Sequence, residues 1–527
     1  MRHTTILSVL SLVSFAAAGG KGHGKGKGKG KGKGKGPDCD LPPVESDTLR
    51  EAVTIEDLMG HCAAFQSFAD EADVYNRHTS SEGHNATVEY IYSFVDEMSD
   101  YWDVELQPFN VTIMIYGDAS FSVKDTDYNV TVMDYSPSGN FTGVDLGLVD
   151  SLGCEAADYP DLTGKVALIS RGSCTFSSKS VLAGEAGAVG AVVYNNEEGM
   201  VSGTLGGLSD GHIPIVGMSM ADGLAIAEMI SGNSSVSVDF MTDTLVQNAF
   251  TNNVIATSKV GDPDNQLFLG AHSDSVIAGP GINDNGSGSS SLLAIAKALY
   301  GFSTTNQIRL GWWSAEEHGL LGSEYYVATA SNETLAAIRL YLNFDMVASP
   351  NYVLGVYDGS GRVFNETGPA GSAEAQYLFE DFFAAEGFNS TASEFTGRSD
   401  YGPFLDVGVP CGGLFTGAEE VKTEEEEIMF GGTAGVALDE NYHQIGDDYG
   451  NLNSEAFEIN GKAIAHAVAT YGAGWEGFPE RDLSTAEKFR KFRKRTHSLH
   501  THGPKKRDES RKGISMSCGG HGGEFEI

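Results

Sequence analysis

The sequence is poor in cysteine and, beyond its N-terminus, has no apolar run of membrane length. Its six cysteines in 527 residues are too few for a disulfide-built scaffold. No stretch after residue 18 approaches the ~20 consecutive apolar residues of a transmembrane helix, so we expect no membrane span. The length is sufficient for two or three domains.

Basic residues are also scarce in the body of the chain. Residues 37–480 contain 14 Lys and Arg against 66 Asp and Glu, a balance of −52, whereas the whole chain carries −38. A body this acidic repels nucleic acid and anionic membranes. We therefore expect neither as a partner, whereas cationic peptide N-termini are attracted, although not specifically.

Both ends of the chain are basic and differ from its body. Residues 1–18 have a basic start, an apolar run and a closing series of three alanines, which is the pattern of a cleaved signal peptide. Residues 19–36 alternate Lys and Gly, and residues 481–527 contain dibasic pairs such as Lys494-Arg495; both compositions predict disorder. We therefore predict a secreted protein, with a vacuolar or lysosome-like compartment as the alternative.

Nine Asn-x-Ser/Thr sites suit a secretory glycoprotein. One of them, Asn285, lies in a Gly-rich loop with a candidate metal ligand, and we expect it to remain bare. We predict glycosylation at the other eight, which are Asn85, Asn110, Asn129, Asn140, Asn233, Asn332, Asn365 and Asn389.

Two of the six cysteines form the best candidate pair. Cys154 and Cys174 bracket one compact segment, so we predict a disulfide bond between them. Cys39 and Cys62 are a second candidate pair. Cys411 lies in an apolar, strand-like run, which favours a buried thiol.

Residues 130–240 differ in composition from both flanks. They are rich in Gly, Val and Ala, with short apolar runs such as KVALIS. The segment 153–196, which contains RGSCTF and AGEAGAVGAVVYNN, resembles the protease-associated domain, an insert found in several secreted peptidases. The resemblance implies a β-rich α/β domain that shapes access to a neighbouring site and has no catalytic residues of its own.

Residues 45–125 and 245–475 flank this insert, and we predict that they form one domain. Strand-like runs (NVIATS, LFLGAH, IRLGWW and IRLYLNFD) alternate with helical patterns in its second part. This alternation indicates an α/β fold with a mixed, mostly parallel central sheet flanked by helices, in which ligands collect beyond the carboxyl ends of the strands. The predicted helices span Leu49–Glu71, Val88–Met98, Ser287–Leu299, 371–387 and 453–471.

Six polar residues of the second half lie at strand ends or in loops. They occur in FLGAHSDS, GINDNGSG, WWSAEEHG, YLNFDMV and NYHQIGDD and are His272, Asp284, Glu316, Glu317, Asp345 and His443. Two imidazoles and three carboxylates suffice for two zinc ions that share one bridging Asp, each metal also taking one His and one carboxylate. The remaining glutamate can then act as a base, which indicates metal-assisted hydrolysis.

In combination, these segments resemble the co-catalytic zinc aminopeptidases, the family that includes aminopeptidase Y. The resemblance implies the zinc-peptidase fold, two zinc ions per chain and hydrolysis of the N-terminal peptide bond of peptides and proteins with a free N-terminus. It also implies a preference for apolar, leucine-like residues. The ligands it implies are His272 and Asp345 on one zinc, Glu317 and His443 on the other, and Asp284 between them.

The same resemblance implies roles for residues around the metals. Glu316 is the expected general base, which takes a proton from the bridging water and returns it to the leaving amine. Asp274 is expected to hold the His272 imidazole in the right tautomer. Tyr442 is expected to donate a hydrogen bond to the tetrahedral oxyanion.

Two further features are implied by the family pattern. One is a cis peptide bond after the bridging aspartate, between Asp284 and Asn285. The other is a substrate-side segment, FTGRSDYGPF at 395–404. Within it, Arg398 and Asp400 either shape the pocket or form a surface ion pair.

Two rival functions share parts of this pattern. A carboxypeptidase of the glutamate carboxypeptidase kind has the same insert and metal motif, but it adds a long helical dimerisation region, whereas only about 30 residues of ordered composition follow His443 here. A receptor of the transferrin receptor kind has lost metal ligands that are all present here. We therefore predict an aminopeptidase, and we expect it to be a monomer.

Overall fold

The computed structural model describes residues 41–124, 126–196, 199–232 and 235–481. The predicted signal peptide, the Lys/Gly arm and all but residue 481 of the predicted basic tail lie outside these ranges, as do Cys39 and Asn233. Within the described ranges, no helix combines the length and the apolar content needed to cross a membrane.

The described residues form α-helices and β-strands that we number in chain order. The helices are α1 Ser46–Ala52, α2 Ile55–Glu71, α3 Glu82–Asp96, α4 Phe176–Glu185, α5 Met220–Gly232, α6 Gly288–Leu299, α7 Leu321–Thr329, α8 Asn332–Ala337, α9 Ser372–Ala385, α10 Tyr401–Asp406, α11 Glu424–Phe430 and α12 Ser454–Ala473. The strands are β1 Trp102–Val123, β2 Thr126–Tyr128, β3 Val130–Val132, β4 Gly139–Leu148, β5 Val166–Ser170, β6 Gly190–Tyr194, β7 Ile215–Met218, β8 Ser237–Ser258, β9 Asp262–His272, β10 Asn306–Trp313, β11 Ile338–Phe344, β12 Gly355–Tyr357, β13 Thr391–Ser393 and β14 Cys411–Phe415.

The central sheet has the strand order β13-β12-β14-β11-β9-β10-β8-β1. The neighbours β10, β9, β11 and β14 run parallel to one another, whereas β8 is antiparallel to β10 and β12 is antiparallel to β14. In the register of β9 and β10, His272 lies beside Trp313, so these two strands end level. The mixed, mostly parallel sheet predicted from the sequence is confirmed.

Helices cover both faces of this sheet. Side chains alternate along a strand, so Leu267 and Leu269 of β9 enter one core with Leu292 of α6 and Phe457 of α12. Phe268, between them, enters a second core that also contains Tyr326, Tyr341 and Phe404. Burying one such side chain contributes roughly 1.5–3 kcal/mol. The sheet is therefore held between two apolar layers, and its strand ends are left for polar residues.

The predicted insert has its own sheet. Strands β4, β5, β6 and β7 are parallel neighbours and β3 is antiparallel to β7, with a core that includes Phe121, Leu168 and Val192. The long strands β1 and β8 pair along nearly their whole length and connect this sheet with the central one, because β4 also pairs with β8. Cys154 and Cys174 of the insert form a disulfide bond with a Cα–Cα distance of 5.6 Å.

Two local expectations differ from the structure. The helix predicted over Leu49–Glu71 is divided into α1 and α2, because Val53 and Thr54 are extended and the Thr54 side chain caps α2 by accepting from the Asp57 amide. The expected bond between Cys39 and Cys62 is wrong. Cys62 is a free, buried thiol whose sulfur lies 3.1 Å from the Ser290 hydroxyl.

Candidate metal centre

Three candidate residues follow the carboxyl ends of neighbouring parallel strands. His272 is the last residue of β9, Asp345 directly follows β11, and Glu316 comes shortly after β10. Side chains alternate between the two faces of a sheet. His272 lies four residues after Phe268 and Asp345 lies four residues after Tyr341, so all of them point to the same face. All three candidates are largely buried.

Asp284 lies in the loop between β9 and α6. Gly281 enters this loop with φ 62°, and a Cβ at this position would approach the Asp284 carbonyl oxygen to 2.3 Å, so the turn requires glycine. The peptide bond between Asp284 and Asn285 is cis, as the family pattern implies. The Asn285 side chain donates to the Phe344 carbonyl and accepts from the Met346 amide, which joins the loop to the segment that carries Asp345.

The five predicted ligands converge on two groups that share one carboxylate. Asp284 Oδ1 lies 3.1 Å from His272 Nε2, which is 3.3 Å from Asp345 Oδ1. The other oxygen, Asp284 Oδ2, lies 3.2 Å from His443 Nε2, which is also 3.2 Å from Glu317 Oε2. In each group one ligand atom per residue lies within 4.8 Å of the others.

These groups fit metal ions for two reasons. Their donor atoms are of the right type, and several of these atoms have no hydrogen-bond partner in the described part of the chain. Among the described residues, none supplies a hydrogen bond to the buried atoms His272 Nε2, Glu317 Oε1 and Asp345 Oδ1. Buried polar atoms are normally paired, because an unpaired one costs the full desolvation penalty. Imidazole nitrogens and carboxylate oxygens are ordinary zinc ligands. The residues therefore fit zinc, and the sharing of Asp284 fits two ions.

The electrostatics of the ligand cluster show how strongly these groups interact. Burial lowers the pKa of His443, but the carboxylates of Glu317 and Asp284 prevail and raise it to about 10. Burial and the nearby Asp284 raise the pKa of Glu317 to about 7, against the influence of His443. A cluster of this kind concentrates negative charge that a divalent cation can neutralise.

Asp274 is buried behind His272 and contacts two of the candidate residues. Its backbone oxygen lies 3.2 Å from His272 Nδ1, and its Oδ1 lies 3.7 Å from the same nitrogen. Oδ1 also accepts from the Glu316 amide at 3.2 Å, and Oδ2 accepts from the Thr79 hydroxyl at 2.8 Å. Asp274 is therefore positioned to orient both His272 and the backbone of Glu316.

Tyr442 and Arg398 lie together on the His443 side of the centre. The Tyr442 ring stacks on the His443 ring at a centroid distance of 3.8 Å. Arg398 Nη2 donates to the Tyr442 hydroxyl at 3.1 Å, and Arg398 Nη1 donates to Glu419 at 2.8 Å. Arg398 is thus fixed between a carboxylate and the phenol of Tyr442.

Asp400 is not the ion-pair partner of Arg398. It is fully buried and accepts a hydrogen bond of 2.5 Å from the Ser323 hydroxyl. Burial raises the pKa of Asp400 to about 7, although His272 and the hydrogen bond from Ser323 lower it. The alternative of a surface ion pair between Arg398 and Asp400 is therefore wrong.

Arg77 holds the segments of the metal centre in place, a role that the sequence did not reveal. It is fully buried, and its guanidinium donates to the carbonyl oxygens of Pro280 (2.8 Å), Ser273 and Gly281. These carbonyls belong to the loops that carry His272 and Asp284. The stretch NRHTS around Arg77 has no periodicity or motif that signals such a contact.

Two family models match this chain. The model of peptidase family M28 matches residues 253–468, the part that contains all of the predicted ligands. The model of the PA domain matches residues 144–226, within the predicted insert.

Similar proteins cover nearly the whole chain. The chain is 49% identical over 469 residues to "Probable leucine aminopeptidase 2" of Aspergillus fumigatus, a match that covers 88% of this chain and 93% of the relative. The structure of an aminopeptidase from Aneurinibacillus sp. strain AM-1 matches with a TM-score of 0.67 and 24% identity, over 83% of this chain and 98% of that one. The structure of BSAP, a zinc aminopeptidase from Bacillus subtilis, matches with a TM-score of 0.59 and 25% identity, over 80% and 97% of the two chains.

Proposed function

This chain belongs to peptidase family M28, and we propose that it is a secreted, monomeric two-zinc aminopeptidase that releases apolar N-terminal residues from peptides. It is a metalloaminopeptidase with a PA-domain insert, as the family models and the Aspergillus fumigatus relative indicate together. The observation that carries the two-zinc proposal is the shared carboxylate. One oxygen of Asp284 faces His272 and Asp345, and the other faces Glu317 and His443.

In this proposal the five ligands divide into two sites. His272 and Asp345 would hold one zinc, Glu317 and His443 the other, and Asp284 both. When bound, two zinc ions would lower the pKa of a water molecule and would polarise the carbonyl of the scissile bond.

Glu316 is proposed as the general base. Its Oε2 lies 4.0 Å from His272 Nε2, so the carboxylate is adjacent to the ligands without belonging to either group that shares Asp284. Its backbone amide is fixed by Asp274. Glu316 would take the proton from the attacking water and deliver it to the leaving amine, a role that contributes typically 10²–10⁴-fold to the rate.

Tyr442 is proposed as a donor to the oxyanion. Its hydroxyl oxygen accepts from Arg398, so its own proton remains available for another acceptor. Arg398 would therefore act through Tyr442, by fixing the direction in which that proton points. A preorganised donor of this kind acts on the charge that develops in the transition state.

The substrate proposal rests on charge and on the relatives. The proposed ligand Asp345 and its neighbour in the site, Glu316, place carboxylates at the metal centre, where a protonated or metal-bound α-amine can pair with them. The name of the Aspergillus fumigatus relative points to leucine-like N-termini.

Secretion is supported by the positions of the glycosylation sites. The predicted acceptors within the described residues are all exposed, and they are Asn85, Asn110, Asn129, Asn140, Asn332, Asn365 and Asn389. Asn285, expected to remain bare, is fully buried. Treatment of the secreted protein with an endoglycosidase should therefore lower its mass, and peptide mapping should find Asn285 unmodified.

A substrate panel tests the activity. The purified full chain is assayed on leucine anilide, on N-acetyl-leucine anilide and on a peptide with a blocked N-terminus and a free C-terminus, each before and after dialysis against a chelator. We expect hydrolysis of the first substrate alone, loss of activity after chelation and recovery with zinc. Release of a C-terminal residue from the blocked peptide would instead support the carboxypeptidase.

A further inference from the structure

Three consecutive amides of the loop that carries the bridging ligand bind a single residue. Ile282 N donates to the Asp447 backbone oxygen at 3.0 Å. Asn283 N donates to Asp447 Oδ1 at 2.8 Å, and Asp284 N donates to Asp447 Oδ2 at 2.9 Å. Asp447 therefore binds the backbone of this loop through both of its carboxylate oxygens and its carbonyl.

Asp447 is held in place from its other side. Its side chain is buried, with 2% of the residue exposed, and Asn451 Nδ2 donates to Oδ1 at 3.3 Å. Asn451 also donates to Asp439, which accepts from the Asn283 side chain at 2.7 Å. The contact between Asp447 and the loop is therefore part of a buried polar network.

The same residue lies on the segment that carries His443. Its amide donates to the Gln444 carbonyl at 3.1 Å, which closes a turn directly after His443. Asp447 thus connects two ligand segments that are distant in sequence, and their ligand atoms, His443 Nε2 and Asp284 Oδ2, lie 3.2 Å apart.

Arg77 holds the opposite side of the loop. It binds the carbonyls of Pro280 and Gly281 and also that of Ser273, directly after His272. The Arg77 guanidinium therefore binds the carbonyls on the His272 side, and the Asp447 carboxyl group binds the amides on the His443 side. Loss of Asp447 leaves the contacts of Arg77 in place, so the two metal groups should respond unequally.

We propose that Asp447 is a positioning residue that fixes the bridging carboxylate of Asp284 relative to His443 and thereby sets the zinc affinity of the group Asp284, Glu317 and His443. This inference rests on the proposed two-zinc function. Groups that orient metal ligands typically change metal affinity 10–100-fold when they are mutated.

The test uses two neighbouring aspartates. In Asp447→Asn, the amide oxygen can accept from only one of the two loop amides, and the amide nitrogen faces the other donor. Asp448→Asn is the matched control, because Asp448 caps the short helix Tyr449–Asn451 by accepting from the Gly450 amide. Both full-length variants and the wild type are stripped of metal and titrated with zinc against a chromophoric chelator.

We expect the wild type and Asp448→Asn to bind two zinc ions with the same pair of dissociation constants. In Asp447→Asn, one of the two constants should rise 10–100-fold while the other changes less than about threefold. Unchanged constants in Asp447→Asn would overturn the proposal, as would an equal weakening of both sites. A wild type that binds fewer than two zinc ions would instead refute the proposed function itself.

A second measurement does not depend on the stability of a variant. Amide hydrogen exchange of the metal-free wild type, followed in a peptide covering residues 281–288, reports on the three amides that bind Asp447. Protection of these amides before any zinc is added supports the proposal that Asp447 holds the loop in place. Exchange as rapid as that of an exposed loop contradicts it.

Discussion

Glu316 and Glu317 are neighbours in sequence, yet their carboxylates approach different histidines. Glu316 Oε2 lies 4.0 Å from His272 Nε2, whereas Glu317 Oε2 lies 3.2 Å from His443 Nε2. Ala315, directly before them, has φ 62°, a left-handed conformation that is uncommon for residues other than glycine. The tight turn after β10 thus directs two identical side chains to separate positions, and substitutions can separate their roles.

Glu316→Gln should slow turnover strongly without removing zinc. The amide keeps the shape of the side chain but cannot take a proton, so we expect kcat to fall by about 10²–10⁴-fold. Elemental analysis should still find the wild-type zinc content. Loss of zinc from this variant would show that Glu316 is a ligand and that the two roles are reversed.

Glu317→Gln should act on metal content instead. A neutral amide is a poorer zinc ligand than a carboxylate, so the variant should retain less zinc after dialysis. Its activity should recover in part as zinc is added back, and this recovery distinguishes it from Glu316→Gln. Full activity at low zinc would place the ligand elsewhere.

Residues that share a local pattern were predictable from the sequence. His272 and Asp345 lie at the ends of the apolar, strand-like runs LFLGAH and IRLYLNFD, and the level ends of the parallel strands bring them together. Arg77 has no such signal, because its partners are carbonyl groups about 200 residues away. The sequence also gives no sign of the partner of Arg398. Asp400, which is close to it in sequence, accepts from Ser323, whereas Glu419, which is further along the chain, accepts from Arg398.

The disulfide bond should stabilise the insert. Cys154 and Cys174 are 20 residues apart in sequence, and closure of such a loop is worth roughly 3 kcal/mol in the chain-entropy model. The double variant Cys154→Ser/Cys174→Ser should therefore lower the free energy of unfolding of the insert by about this amount in a denaturant titration. Wild type treated with a reductant is the control and should show the same loss. Mass spectrometry that finds both thiols free in the untreated wild type would contradict the prediction.

Arg398 and Tyr442 should behave as one unit in catalysis. Removal of one oxyanion donor typically costs about 10²–10³-fold in kcat, so we expect a loss of this size in Tyr442→Phe. Arg398→Met should cost less, about tenfold, because it removes the group that orients the hydroxyl and leaves the hydroxyl itself.

If Arg398 acts through Tyr442, the double variant should be no slower than Tyr442→Phe alone, since the effects of residues in one hydrogen-bonded unit are not additive. Glu419→Gln, which weakens the other anchor of Arg398, is the matched control and should resemble a mild form of Arg398→Met. Additive losses in the double variant, measured as kcat at saturating zinc, would show that Arg398 acts independently of Tyr442.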